Sequence, residues 1–178
     1  MTEESLDIVN DNDIVTGQAP RSTIHQNGLQ HRGAHVFLFT PEGKMLIQKR
    51  SADRTSAPSL LDCSVSEHVK AGESYLEAAR RGLREEMGIT VEELTPLVKF
   101  KMIYGPNDNE ISTLYKGLVD PASVKFDPVE IAEIRYLSMD ELRSVLENEK
   151  QTLCGWFVEI LHWYWGHPAA MTILKAWS

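Results

Sequence analysis

Cysteine is scarce in this sequence: only Cys63 and Cys154 occur among 178 residues, 91 positions apart and outside any C-x-x-C spacing. That excludes a disulfide framework and a thiolate zinc site, and leaves two buried thiols as the expectation. Long apolar runs are missing too. Stretches such as Val36 to Phe39 fall far short of the roughly 20 residues a bilayer-crossing helix needs, so no membrane segment is expected. Positive charge is in deficit, with 18 Lys and Arg against 26 Asp and Glu and a formal net charge of −8. This balance opposes generic binding to nucleic acid or anionic lipid. No repeat, low-complexity run or Gly/Ser-rich linker interrupts the chain. The opening Met-Thr-Glu-Glu-Ser has neither an apolar core nor an Arg-rich transit pattern. A single domain over residues 1–178, located in the cytoplasm, is the expectation.

Local signals are plentiful. Residues 6–9 and 14–17 around Asn10-Asp11-Asn12-Asp13 predict an N-terminal hairpin at about 5–18. Residues 35–40 and 45–49 flank the turn Pro41-Glu42-Gly43-Lys44, and the Ser, Ala and Pro of 51–59 predict a loop. Residues 61–69 predict one strand, and 98–104 and 111–119 predict two more around Gly105-Pro106-Asn107-Asp108. Ser74-x-x-Glu77 is a capping box, which with Gly88 as a left-handed C-cap predicts a helix over 75–87. Ser138-x-x-Glu141 opens a second helix, residues 152–165 show helical spacing, and the tail after Pro168 is read as a last short helix. The C-terminal helices thus span about 139–176. Without regular βαβ alternation the order predicts an α+β fold, an α/β sandwich rather than a doubly wound sheet.

On the helix over 75–87, residues advance by about 100° each, which gathers positions 82, 85 and 86 on one side and Leu76, Ala79, Leu83 and Met87 on another. The second stripe suits a core. Glu85 and Glu86 on the first suit a hard cation such as Mg²⁺, which takes carboxylate oxygens and keeps waters and phosphate oxygens in its shell. The plainer alternative is a solvated acidic face whose Arg81 and Arg84 pair with neighbours.

The segment from Glu67 to Ile89 separates these alternatives. It resembles the Nudix signature G-x5-E-x7-R-E-U-x-E-E-x-G-U, where U is aliphatic, and matches it at seven of nine positions: Glu73, Arg81, Leu83, Glu85, Glu86, Gly88 and Ile89. The departures are Glu67 where the pattern has Gly, and Gly82 where it has Glu. The resemblance implies a Nudix-type α/β/α sandwich with a mixed central sheet, a Mg²⁺ or Mn²⁺ cofactor and a small-molecule diphosphate substrate. Gly82 removes a carboxylate the family uses for metal binding and often as base. A Gly inside a helix also costs about 1 kcal/mol relative to Ala.

Over roughly residues 6–165 the chain is especially similar to isopentenyl-diphosphate isomerases and isomerase-like Nudix hydrolases. The similarity is carried by Thr23-Ile-His25-Gln-Asn-Gly-Leu-Gln-His31-Arg-Gly-Ala-His35-Val-Phe-Leu-Phe39 and by Ser64-Val-Ser66-Glu67-His68. It implies a metal site at His25, His31 and His68, completed by carboxylates of a later strand, with Glu110 as a candidate, and the box helix keeping only its final Glu, here Glu86. Imidazole suits Mn²⁺, Zn²⁺ or Fe²⁺ better than Mg²⁺. Ser66 falls where those isomerases carry a catalytic Cys. A hydroxyl is a far weaker acid than a thiol, and strand alternation is expected to point Cys63 away from Ser66. Arg50, Arg54 and Arg81 resemble cationic positions that hold the diphosphate, for which a forked guanidinium is suited. Arg81 could instead brace the box by pairing with Glu73 or Glu85. Trp156 resembles an aromatic position that shields a carbocation. Tryptophans clustered near the C-terminus also suit core packing or a homodimer interface.

The expectation is therefore metal-assisted hydrolysis of a phosphoanhydride in a small molecule such as a nucleoside diphosphate derivative, with Glu85 and Glu86 holding the cation. The general base stays open among Glu85, Glu110, Glu130 and Glu133. Two rivals stand beside it: isomerisation of isopentenyl to dimethylallyl diphosphate with Ser66 in place of Cys, and diphosphate binding without turnover.

Overall fold

The structure, a computed structural model, describes residues 2–178. Strands β1 (Ser5–Val9) and β2 (Val15–Pro20) form the N-terminal hairpin, its turn closed by Asn10 Oδ1, which accepts from the backbone of Asn12 and Ile14. Helix α1 (Arg21–Asn27) follows, an element the sequence did not suggest because Ile24 alone is buried on it and no apolar stripe marks it. Strands β3 (His31–Phe39) and β4 (Met45–Arg50) come next. The strand expected over 61–69 is in fact two, β5 (Leu61–Asp62) on β4 and β6 (Val65–His68) on β3.

Helix α2 (Tyr75–Met87) runs over the predicted residues. Both halves of the Ser74/Glu77 capping box are made, and Gly88 sits at φ 65° as the C-cap. After it come β7 (Thr95–Gly105), β8 (Asp108–Leu118), β9 (Ile131–Leu137), α3 (Met139–Asn148), capped by Ser138 and Glu141, and α4 (Gly155–Tyr164). The expected final helix is a strand instead: β10 (Thr172–Ala176) pairs antiparallel with β7. Its Thr172-Ile-Leu-Lys-Ala hydrogen-bonds the open edge of the sheet, and that pairing outweighs a weak local preference. No helix among the described residues is long and apolar enough to cross a membrane.

The sheet runs β10-β7-β8-β3-β4-β5, with β6 also on β3 and β9 also on β4. It is mixed, because β3 and β8 are parallel while the other pairs are antiparallel. β3 meets β4 only at Phe39–Met45, after which β3 pairs with β6 and β4 with β9. Side-chain alternation along β3 feeds two cores. Ala34, Val36 and Leu38 pack with Ala78, Leu83 and Met87 of α2 on one face, and Phe37 packs with Leu142, Phe157 and Leu161 of α3 and α4 on the other. Helices on both faces of a mixed sheet make the α/β/α sandwich.

Candidate functional site

A cleft of about 880 Å³ is walled by α1, β3, β6, α2, the β7–β8 turn and Trp156 of α4. At one end, β-register sets the chemistry: His31 lies opposite Glu110 across the β3–β8 ladder, and Gly33 lies opposite His68 on β6 and Ser112 on β8. His25, on the last turn of α1, completes a triangle of imidazoles with ring centroids 5.0 to 5.2 Å apart. The ligand atoms of His25, His31 and His68 lie within 4.8 Å of one another, as do those of His31, Asp108 and Glu110. His31 Nε2 stands 3.1 Å from Glu110 and 3.6 Å from Asp108, and His68 Nε2 stands 3.4 Å from Glu110. Gly33 is required here by space, since a Cβ would come 2.5 Å from the Glu110 carboxylate and 2.7 Å from Ser112 Oγ.

This donor set fits a divalent cation. His25 Nε2 and Asp108 Oδ1 are buried without a hydrogen-bond partner, an arrangement that costs free energy unless something positive sits between them. His31 Nδ1 is 3.0 Å from the Leu29 carbonyl, to which it donates, so that Nε2 is the nitrogen presented to the cluster. Burial and the neighbouring His68 and His31 charges hold His25 down to about 4, so it is neutral and ligand-competent near pH 7. Burial, then Glu110, push Asp108 up to about 6. Burial works against charge on both His68 and Glu110, but their mutual hydrogen bond, with help from Glu4 and His31, overcomes it. His68 rises to about 9 and Glu110 falls well below the usual carboxylate range.

The cleft's middle is a hydrogen-bonded chain. Glu110 accepts from Ser112, Ser112 meets Tyr104 at 2.7 Å, and Tyr104 meets His35 Nε2 at 3.0 Å. His35 Nδ1 meets Ser66 Oγ at 2.9 Å, and Ser66 donates to Asp62, which also accepts from Trp156 Nε1. The expectation that Cys63 points away from Ser66 is overturned: Cys63 Sγ lies 3.1 Å from Ser66 Oγ. The chain breaks between β5 and β6 at Cys63 and Ser64, which resets the alternation. The thiol nevertheless stands behind Ser66, fully buried and off the cleft wall, and burial together with Asp62 raises its pKa well above the ordinary thiol value. Cys154 is buried as well, and both cysteines are free.

At the other end stands the acidic face of α2. Glu86 is buried and accepts from Gln48 Nε2 at 2.9 Å; burial, then contact with Glu67, push its pKa well above the usual carboxylate range. Glu85 is 57 % exposed at the cleft edge. Arg81 aims Nε at Glu73, Nη1 at Glu67 and Glu85, and Nη2 at Glu73 and the His68 carbonyl, which occupies all five of its donors. The bracing alternative describes this geometry, and the expectation of Arg81 as a diphosphate clamp does not. Arg50 is buried against Asp62 and the Trp156 face, and Arg54 pairs with Glu130 at 2.6 Å, both lining the cleft. Glu133, one of the candidate bases, instead pairs with Arg135, half exposed and away from the cleft.

The NUDIX domain family model matches residues 29–157, nearly three quarters of the chain. The chain belongs to the Nudix superfamily. Among curated relatives, the isopentenyl-diphosphate Delta-isomerase 2 of Photorhabdus laumondii is 27 % identical over 165 residues, covering 90 % of this chain and 92 % of that protein. A Clostridium acetobutylicum protein named an uncharacterized Nudix hydrolase is 31 % identical over 161 residues, covering 84 % of this chain and 77 % of its own. A Deinococcus radiodurans crystal structure superposes with a TM-score of 0.75 at 28 % identity, covering 89 % of this chain and 98 % of that one. The Nudix chain is thus of the isomerase-like branch, with a box that departs from the signature at 67 and 82.

Tyr104, His35, Asp62 and Asp108 were missed by sequence reasoning. Asp108 was absorbed into the turn Gly105-Pro106-Asn107-Asp108, although its two-residue offset from Glu110 would put both carboxylates on one face of a strand.

Proposed function

We propose that this Nudix enzyme hydrolyses a phosphoanhydride bond in a small-molecule diphosphate, with the box face of α2 and the cleft arginines as its working surface. The observation that carries the proposal is the pair Glu67 and Glu85 on the cleft wall, with the buried Glu86 in contact with Glu67, in a cleft whose other lining is dominated by charged side chains. A diphosphate with a polar remainder suits such a lining better than a five-carbon hydrocarbon tail, which needs apolar contact.

A divalent cation bound at the carboxylates supplies polarisation of a phosphoryl oxygen and a more acidic water. The protein's own side chains do the rest. Glu86 is fixed by Gln48 and the burial of α2, Arg81 locks Glu67, Glu73 and Glu85 in place, and Arg50 and Arg54 offer forked donors from the opposite wall. Ser66, already engaged by Asp62 and His35, positions that wall and carries no acidic proton for an alkene.

A second reading, isopentenyl-diphosphate isomerisation, is favoured by one observation: the assembled His25, His31, His68, Asp108 and Glu110 cluster with Tyr104 beside it. Phosphate or pyrophosphate-product release is measured across nucleoside diphosphate derivatives and isopentenyl diphosphate, with Mg²⁺ or Mn²⁺, and dimethylallyl diphosphate formation and ligand binding are measured alongside. Turnover lost in Glu85→Ala and Glu86→Gln supports hydrolysis. Isomerised product lost in His68→Ala but kept in Glu85→Ala supports the second reading and overturns the first. Ligand binding with no turnover of any substrate leaves only a diphosphate-binding module.

A further inference from the structure

We infer that Glu67 supplies, from strand β6, the metal-binding carboxylate that helix α2 lacks at Gly82. The inference deepens the hydrolase reading and rests on it.

Its basis is steric. Gly82 sits in the middle of α2, one turn before Glu86 and packed against β6. A Cβ added there would lie 2.6 Å from Glu67 Cγ and 2.6 Å from Val65 Cγ1, distances that real Cβ atoms do not show, and 3.5 Å from Glu67 Cδ. The Glu67 side chain therefore runs across the bare helix backbone, with its Cγ where a side chain at 82 would begin and its carboxyl carbon just beyond. From there it reaches Arg81 Nη1 at 3.0 Å and meets the carboxyl group of Glu86. It also lines the cleft. A helix gains nothing locally from a central glycine, so the space at 82 is kept for what crosses it.

The two departures from the box signature are then one event. The pattern places Gly at 67 and Glu at 82, and this chain has the reverse. Each change needs the other, because Glu at both positions would collide and Gly at both would leave a hole beside Val65. The number of carboxylates on the cleft face is conserved, with one moved from helix to strand. A purely structural role for Glu67 as a partner of Arg81 is the weaker account, since Arg81 already holds Glu73 through two nitrogens and Glu85 through a third.

The test is calorimetric titration of the full chain with Mg²⁺ alone, with thermal denaturation in parallel. The variants are Glu67→Gln, Glu86→Gln, Gly82→Glu and the exchange Glu67→Gly/Gly82→Glu, all of which leave the histidine cluster intact. Glu67→Gln keeps the packing over Gly82 and is expected to weaken Mg²⁺ binding by at least about 10-fold, as Glu86→Gln does. Gly82→Glu alone is expected to lower the melting temperature through the collision with Glu67. The exchange variant is expected to recover the Mg²⁺ affinity and only part of the melting temperature, because Val65 Cγ1 still crowds a Cβ at 82. Native Mg²⁺ affinity in Glu67→Gln alongside its loss in Glu86→Gln would overturn the inference and leave the hydrolase reading standing. Absence of Mg²⁺ binding in the native chain would overturn both.

Discussion

The histidine end of the cleft draws its side chains from α1, β3, β6 and β8, spread from position 25 to position 110, whereas the helix end draws Glu85 and Glu86 from adjacent positions of α2. The first is assembled by sheet register and is already compact, with ligand atoms within 4.8 Å. The second is assembled by helical periodicity, and the ligand atoms of Glu67, Glu85 and Glu86 are not gathered in that way. Yet one device serves both. At each end a glycine leaves room for a carboxylate from a neighbouring element: Gly33 under Glu110, and Gly82 under Glu67.

The largest expected effect separates the ends by activity. Glu86→Gln should cut turnover by well over about 100-fold, because outer-shell partners of a metal alone are worth 10- to 100-fold. Steady-state product release measures it, and an equal loss from His68→Ala with Glu86→Gln unaffected would invert the assignment. Next, Mn²⁺ at 100 times its dissociation constant should stabilise the native chain by about 2.7 kcal/mol, and His68→Ala should remove most of that gain in thermal melts. Gly33→Ala should destabilise the protein by about 1–3 kcal/mol, since the new methyl overpacks against Glu110 and Ser112, and should weaken the same Mn²⁺ response.

The pH dependence of that response has a definite sign. His68 in the metal-free protein titrates at about 9, and a cation needs its neutral imidazole, so binding below that pH displaces a proton. Mn²⁺ affinity should therefore rise with pH and level off above about 9. Calorimetry in buffers of different ionisation enthalpy detects the released proton, and an affinity flat between pH 6 and 8 would exclude His68 as a ligand. The smallest effect belongs to Cys63→Ala. It should cost about 1 kcal/mol of stability by opening a small cavity and leave turnover unchanged, because the thiol does not reach the cleft.

Legibility followed the range of the interactions. Helix α2 and its caps were readable because Ser74, Glu77 and Gly88 act within a few residues of where they stand. The β1–β2 turn was readable for the same reason at Asn10. The break between β5 and β6 was not readable, since β5 ends to pair with β4 and β6 begins to pair with β3, and neither partner is local. Nor was β10, whose pairing with β7 lies some 70 positions away. In the site, Glu85 and Glu86 followed from spacing and the three histidines from family resemblance. Tyr104, His35 and Asp62 form a network only once the sheet brings β7, β3 and β5 to one cleft, with Ser66 of β6 linking His35 to Asp62. Gly82 looked like a lost carboxylate because the side chain that fills its space is 15 positions earlier.

Hydrolysis at the box face is read out by ³¹P NMR of the native protein and Glu86→Gln with a panel of diphosphates in ¹⁸O-labelled water and Mg²⁺. ¹⁸O is expected in a phosphate-containing product of the native protein and in none from the variant. Conversion of isopentenyl to dimethylallyl diphosphate with no label in phosphate, unaffected by Glu85→Ala, would contradict it.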